Sequence, residues 1–201
     1  GPWSSIAGGI TWSADNGADI LSLSLSGPGY STTGETAVNY AFGLGCTIFA
    51  SAGNNNQDLT TNPRSPAVYP NTVCVGAMSP CDERKSPSSC DNETWWGSNY
   101  GSDLDFMAPG TRNYTTDISG SAGYDNGDYA PFFNGTSSAC PHAAGVAALI
   151  LSYDPNLTNS ELRTLMRNTS IDMGTPGFDE QTGYGRVNAY EALVSLQGPT
   201  C

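Results

Sequence analysis

Apolar and polar positions follow two different periods along this chain, and the two periods alternate. Residues 4–16 carry apolar side chains at helical spacing and stop near Gly17, whereas residues 19–25 alternate apolar and polar side chains as a strand does. The same order returns as a predicted helix over 35–44, ended by glycine, and a buried strand over 46–52. Helices that alternate with strands predict an α/β domain with a mainly parallel sheet flanked by helices.

The second half of the chain continues this pattern. It contains two more short predicted strands and two predicted helices: 72–77, 104–108, 137–153 and 159–168. In a parallel sheet, chemistry gathers at the carboxyl ends of the strands. That rule directs attention to three segments that follow strands or open a helix: 24–27, 53–54 and 134–137.

Composition narrows the function classes. The 201 residues suffice for one domain with a sizeable core. The net charge is −12, and the chain contains only one lysine and six arginines. Without a basic stripe to neutralise phosphates, nucleic acid is not an expected partner. The longest apolar run, 146–151, is far too short to span a bilayer.

The six cysteines do not have metal-site spacing, because no CxxC pair occurs. Cys81 and Cys90 bracket a polar loop, so a local disulfide and two free thiols are both open alternatives. Cys46 and Cys140 lie inside apolar runs, which predicts buried and unreactive thiols.

Five Asn-x-Ser/Thr sequons are present, at Asn92, Asn113, Asn134, Asn156 and Asn168. In a chain this rich in serine and threonine, chance alone supplies about three or four. Together with the even cysteine count, they favour an extracellular or cell-surface glycoprotein.

Residues 134–145 read N-G-T-S-S-A-C-P-H-A-A-G. This segment resembles the nucleophile signature of the subtilisin-like serine proteases (subtilases). Blocks at 17–25, 50–54 and 98–110 resemble three further family segments in family order, closest to the proteinase K branch. The resemblance covers almost the whole chain. It implies a three-layer subtilisin-like fold, with residues 1–201 forming the C-terminal part of one catalytic domain.

The resemblance assigns the nucleophile to Ser137 and the oxyanion-hole amide to Asn54. A serine hydroxyl needs an exposed turn, a base and a site for the oxyanion. Gly135 permits close backbone approach, and the helix that follows directs unpaired N–H groups towards the reacting atoms. The Ser137 N–H and the Asn54 side chain are therefore expected to hold the oxyanion together. The alternatives are a simple helix cap at Ser137 and a turn residue at Asn54.

Substrate binding is assigned by the same resemblance to Ser24, Leu25, Ser26, Gly27 and Gly53. The backbone groups of Ser24, Leu25 and Gly27 are expected to add an extended peptide as an edge strand. Ser26 stands where the family usually has glycine, so its side chain either narrows the cleft or changes the specificity.

The catalytic base is missing from this chain. A subtilase triad occurs in the chain order Asp, His, Ser, whereas the one histidine here, His142, follows Ser137 and matches a structural position of the signature. We expect an N-terminal subtilase part, carrying the triad Asp and His, as a partner. Three explanations stay open. The chain is part of an active endopeptidase acting on polypeptides, or part of an inactive subtilase fold used as a structural or binding module, or a sequence that covers only part of its protein.

No cofactor is expected for the chemistry, but the resemblance implies a structural calcium ion. In the proteinase K branch one site uses two carbonyls, here placed at Asn71 and Val73, and the carboxylate that aligns with Asp105. Oxygen ligands of this kind suit calcium. The alternative is that Asp105 is a turn residue at the end of a strand.

Of the sequons, Asn134 is the one expected to stay bare, because a glycan there would crowd Ser137.

Overall fold

The computed structural model describes residues 1–197, within which helices and strands alternate for most of the length. In chain order the elements are α1 (Trp3–Asp15), β1 (Ile20–Leu23), β2 (Gly27–Pro28), α2 (Thr32–Gly43), β3 (Thr47–Ser51), β4 (Arg64–Ser65), β5 (Thr72–Met78), β6 (Phe106–Pro109), β7 (Asn113–Thr116), β8 (Tyr129–Phe133), α3 (Thr136–Tyr153), α4 (Asn159–Thr169) and α5 (Ala189–Leu196).

The central sheet is parallel, with the strand order β1-β3-β5-β6. Every residue of β3 and β5 is buried, which is why these two strands appear in the sequence as continuous apolar runs. Two short antiparallel pairs, β2 with β4 and β7 with β8, lie outside this sheet. The predicted α/β fold with a mainly parallel sheet is confirmed.

Helices cover both faces of the sheet. On one face, α1 and α2 bury Ile10 and Val38 against Ile48 of β3. On the other, α3 presents alanines, among them Ala143 and Ala147, to β3, β5 and β6. Small side chains let α3 lie close to the strands, so its amino end is held firmly at the edge of the sheet.

Element boundaries differ from the sequence predictions where side chains cap the ends. Helix α2 begins three residues earlier than predicted, because the Ser31 side chain accepts a hydrogen bond from the Gly34 N–H. Helix α4 agrees closely and begins with a reciprocal capping box between Thr158 and Glu161. Strand β1 ends at Leu23, two residues before the predicted end. The β7/β8 pair was not predicted.

The cysteines follow the sequence interpretation. Cys81 and Cys90 form a disulfide, which decides between the two open alternatives. Cys46 and Cys140 are buried thiols, as predicted. Burial raises the pKa of Cys140 to about 11, so its thiol stays protonated and unreactive at neutral pH.

Candidate active site

The candidate site lies where β3 and the continuation of β1 leave the sheet and where α3 begins. Strand β3 ends at Ser51 and leads into the loop that carries Asn54. Helix α3 begins at Thr136, one residue before Ser137. The parallel pairing of β1 with β3 brings their carboxyl ends to the same edge of the sheet, as expected for a site in an α/β fold.

Asn54 and the amino end of α3 are in direct contact. Asn54 Oδ1 accepts hydrogen bonds from the Thr136 backbone N–H at 2.9 Å and from the Thr136 hydroxyl at 2.8 Å. The same hydroxyl accepts from the Gly53 N–H at 3.0 Å. These bonds fix Oδ1 of the exposed Asn54 side chain, and no hydrogen bond to its Nδ2 group is present among residues 1–197. Asn54 and Thr136 are 82 positions apart in the sequence, and the fold brings them together.

Gly135 makes this approach possible. Its φ is +114°, a conformation that favours glycine, and a Cβ at this position would lie 3.2 Å from Asn54 Nδ2. The turn before Ser137 therefore requires both the backbone freedom and the small size of glycine.

Ser137 is half-buried beside the β1 continuation. Its hydroxyl donates to the Ser24 carbonyl at 3.3 Å, and the Ser24 hydroxyl donates to the Ser137 carbonyl at 2.6 Å. Among residues 1–197 the Ser137 N–H has no backbone or side-chain acceptor. An unbonded amide in the first turn of a helix is a ready donor to a developing oxyanion.

A buried asparagine that the sequence analysis did not single out holds the Asn54 loop in place. Asn99 is fully buried, and its Nδ2 donates to the Ala52 carbonyl at 2.9 Å. Its Oδ1 accepts from the N–H groups of Asn55 and Gln57 at 3.1 and 3.0 Å. The 98–110 block of the sequence contains this residue, but nothing in a single sequence distinguishes it from a turn asparagine.

The predicted substrate edge continues β1 away from the sheet. Within the described range, no backbone–backbone hydrogen bond involves Leu25 or Ser26, whereas Gly27 pairs with Ser65 of β4. Gly53 has a φ of +99°, and a Cβ there would lie 3.2 Å from Ser26 Oγ. The Ser26 side chain therefore lies beside Gly53, so the structure brings these two predicted substrate-binding residues together.

His142 lies on the exposed side of α3. Its Nδ1 lies 2.9 Å from the Ser138 carbonyl, one helical turn earlier, and it makes no hydrogen bond to the Ser137 hydroxyl. This arrangement agrees with the expectation that His142 is not the catalytic base, and among residues 1–197 no histidine bonds to the Ser137 hydroxyl.

The residues predicted to bind calcium do not fit that ion. Both carboxylate oxygens of Asp105 accept from the guanidinium of Arg163, at 2.8 to 3.1 Å, and Arg167 donates to Oδ1 at 2.8 Å. Arg163 also donates to the Pro70 carbonyl at 2.8 Å. Val73 lies inside β5, and the Asn71 side chain bonds to Asn39. The positive charge expected from calcium is supplied here by two arginines, so the calcium prediction has no support in this geometry.

The sequon asparagines fall into two groups: some are exposed, and the others have side chains that form hydrogen bonds within the protein. Asn92, Asn156 and Asn168 are exposed. The Asn113 amide donates to the Pro109 carbonyl and to the Ser138 hydroxyl beside the site, which argues against a glycan at that predicted position. The Asn134 amide is bonded to Glu93, in agreement with the expectation that it is bare.

None of the helices in residues 1–197 combines the length and the apolar character that crossing a membrane requires.

Comparison with known proteins agrees with this geometry. The sequence profile of the subtilase family matches residues 1–185. The chain is 37% identical over 193 residues to subtilisin of Bacillus pumilus and to thermitase of Thermoactinomyces vulgaris, covering 96% of this chain and 62% and 60% of theirs. Among solved structures, a protease from Pseudoalteromonas arctica is similar with a TM-score of 0.81 and 31% identity, covering 97% of this chain and 59% of that one. Fervidolysin from Fervidobacterium pennivorans, a keratinolytic enzyme, has a TM-score of 0.75 and 30% identity, covering 98% of this chain and 29% of that one. The chain thus spans less than two thirds of these relatives.

Proposed function

Because this chain belongs to the subtilase family, we propose that it is the serine-bearing part of an endopeptidase that hydrolyses polypeptides. The observation that carries the proposal is the contact between the Asn54 side chain and the amino end of α3, which brings an amide and the Ser137 hydroxyl to one cleft. Under this proposal residues 1–201 are the C-terminal part of one catalytic domain.

The chemistry is an acyl transfer in two steps. The Ser137 oxygen attacks the carbonyl carbon of the scissile bond, and a base takes the hydroxyl proton. The Ser137 N–H and Asn54 Nδ2 stabilise the negative oxygen, the C–N bond breaks, and the protonated amine leaves. Water then hydrolyses the acyl-enzyme and restores the serine hydroxyl. No cofactor enters either step.

The free backbone groups at Leu25 and Ser26 support binding of an extended peptide. An extended substrate can pair with them as an added strand, and its side chain then meets the Ser26 and Gly53 walls of the cleft. Since Ser26 adds a side chain where the family usually has none, we propose that it limits the size of the bound substrate residue.

The base and its aspartate are proposed to come from a segment that docks beside Ser137. One side of α3 is open: Leu149 and Tyr153 are 53% and 51% exposed, next to exposed His142 and Gly145. At the outer edge of β6, Met107 forms backbone hydrogen bonds with Gly185 and Val187. Within the described range, β1 is the opposite edge strand, and no backbone hydrogen bond is formed on its outer side. An apolar helix face beside a free strand edge suits a segment that extends the sheet and covers the helix. About two fifths of the length of each of these relatives lies outside the matched region, which is enough to supply such a segment.

An extracellular setting is part of the proposal. The Cys81–Cys90 disulfide and the exposed sequons at Asn92, Asn156 and Asn168 support it, because disulfides persist in oxidising compartments.

The test uses the native, full-length protein and a fluorophosphonate probe, which reacts with an activated serine. We expect labelling at Ser137, located by peptide mass mapping, together with cleavage of a denatured polypeptide, and we expect Ser137→Ala to abolish both. If a control subtilase is labelled and this protein is not, the inactive binding module is the better explanation. If Ser137→Ala still cleaves the substrate, the mechanism is wrong.

A further inference from the structure

Residues 79–98, the first part of the connection between β5 and β6, contact both sides of the candidate site, and we call this segment the clamp loop. The Cys81–Cys90 disulfide closes its first part. Its second part reaches Asn134, which opens the turn to Ser137. Within the part closed by the disulfide, Arg84 donates a hydrogen bond to the side chain of Asn56, two residues after Asn54. One loop therefore bonds to the segment of the nucleophile and to the segment of the oxyanion-hole amide.

The clamp loop is organised around a buried lysine. Lys85 is fully buried, and its Nζ lies 3.2 Å from an Asp91 carboxylate oxygen. The same Nζ donates to the Glu93 carbonyl at 2.6 Å and lies 5.1 Å from the centre of the Trp96 ring. A buried charge is tolerated only where its partners are held in place, so this network orders the backbone at Glu93.

The Glu93 side chain connects this network to Asn134, at the start of the turn that leads to Ser137. Its carboxylate is 9% exposed and accepts from Asn134 Nδ2 at 3.0 and 2.8 Å. Trp96 Nε1 donates to the same carboxylate at 2.8 Å. Asn134 Oδ1 in turn accepts from the Arg112 N–H at 2.6 Å. With both ends of its amide bonded, Asn134 has one orientation, and the turn from 134 to 137 starts from a fixed point.

Arg84 does the same for the other side of the cleft. Its Nη1 donates to Asn56 Oδ1 at 2.8 Å and to the Ser98 carbonyl at 2.6 Å, and its guanidinium lies 4.7 Å from the centre of the Tyr100 ring. Asn56 has a φ of +53°, so its backbone needs support from its neighbours.

We propose that Glu93 is a positioning residue, which acts through Asn134 to hold Ser137 in register with Asn54. The proposal rests on the proposed endopeptidase function for its kinetic consequence only. Glu93 does not touch the Ser137 hydroxyl, so its effect is on the geometry of the turn and not on proton transfer.

The test compares Glu93→Gln with Glu83→Gln in the full-length protein. Both substitutions remove one negative charge from the clamp loop and keep the side-chain shape. The Glu83 carboxylate, however, bonds only within the loop, to Ser79 and the Cys90 N–H. Hydrogen exchange of the 134–139 peptide and the rate of fluorophosphonate labelling are measured for both variants, along with the thermal midpoint.

We expect Glu93→Gln to speed exchange in 134–139 about tenfold and to slow labelling by a similar factor, because a charge-assisted hydrogen bond is lost. Glu83→Gln should leave both at the wild-type level. The loss should appear in kcat more than in KM, since binding at Leu25 and Ser26 is untouched.

A double-mutant cycle separates positioning from general destabilisation. If Glu93 acts through Asn134, Glu93→Gln should have no further effect in the Asn134→Ala background. Should Glu93→Gln fail to fold, Asn134→Ala removes the same contact from its other side and should itself speed exchange.

Three results would each overturn the proposal: unchanged exchange in Glu93→Gln, equally slowed labelling in Glu83→Gln, or a full further effect of Glu93→Gln in the Asn134→Ala background. Exchange is measurable in an inactive protein. A wild-type protein that is never labelled would therefore refute the endopeptidase function, while the exchange data still decide the role of Glu93.

Discussion

Two polar clusters lie at opposite ends of the parallel sheet, and their bonding differs. At the carboxyl ends of the strands, Ser137 and Asn54 are uncharged, and within residues 1–197 the Ser137 N–H and the Asn54 Nδ2 group make no hydrogen bond. At the amino ends of β5 and β6, Asp105 is buried and its two oxygens are bonded by Arg163, Arg167 and the Cys74 N–H. The first cluster has donors left for a ligand. In the second cluster, both carboxylate oxygens already accept hydrogen bonds from groups of the protein, which indicates a stabilising role.

The largest effect is expected at the first cluster, on rate. Asn54→Ala should lower the turnover of the full-length protein about 10²- to 10³-fold, because one oxyanion donor is lost; this magnitude comes from subtilisin itself. The unfolding free energy should fall by only about 1 kcal/mol, from the lost bonds to Thr136. Peptide hydrolysis and denaturant unfolding measure the two quantities.

The matched control is Asn55→Ala, an exposed asparagine in the same loop whose backbone N–H, and not its side chain, is bonded by Asn99. If Asn54→Ala retains the same turnover as Asn55→Ala, the first cluster has no oxyanion role.

The second cluster should respond in the opposite way. Asp105→Asn should lower the unfolding free energy by about 3 kcal/mol, because two guanidinium groups lose their buried counter-charge. The turnover of the molecules that remain folded should stay within about twofold, since the cluster lies away from Ser137. Urea unfolding and kcat, measured on the same sample, check the pair of expectations.

A calcium-dependent rise in thermal midpoint that Asp105→Asn abolishes would contradict this assignment and restore the calcium prediction.

The smallest effect concerns Asp103, a carboxylate close to the second cluster. Its pKa is raised by loss of hydration and then by the like charges of Asp105 and Asp58. The folded state therefore holds the proton to higher pH than the unfolded state, and stability is lost as pH rises through this range. Asp103→Asn should stabilise the protein at pH 7 by a few tenths of a kcal/mol, because the residue is exposed and solvent screens its charge.

At about pH 3, below the ordinary aspartate pKa, the Asp103→Asn variant and the wild type should have the same thermal midpoint. A stabilisation that persists unchanged at this pH would show that charge is not its cause.

Local pattern was enough to predict most of the fold. The order of helices and strands follows mainly from local apolar periods of 3.6 and 2, and the burial of β3 follows from a continuous apolar run. The β7/β8 pair escaped prediction because side chains such as Tyr114 and Tyr129 stack on each other at the surface and leave no one-sided apolar pattern.

Among the site residues, too, some lie in a recognisable local sequence pattern and others do not. The signature around Ser137 and the glycine-bounded block around Asn54 identified both groups before their contact was known. Nothing local marks Asn99, which holds the Asn54 loop across more than forty positions, or Glu93, which bonds to Asn134. The calcium prediction at Asp105, by contrast, did not take account of the arginines that bond to this carboxylate, since Arg163 follows 58 positions later in the sequence.

By itself, the sequence determined the layered α/β fold and the residue types of the chemistry, because both depend on the types and the spacing of residues that are close together in the chain. Only the tertiary structure decided which polar atoms are already bonded and which remain free. A hydrogen bond depends on distances of about 3 Å between groups far apart in the chain, and no periodicity encodes those distances. The free donors beside Ser137 and the saturated carboxylate of Asp105 are indistinguishable until the sheet brings their partners together.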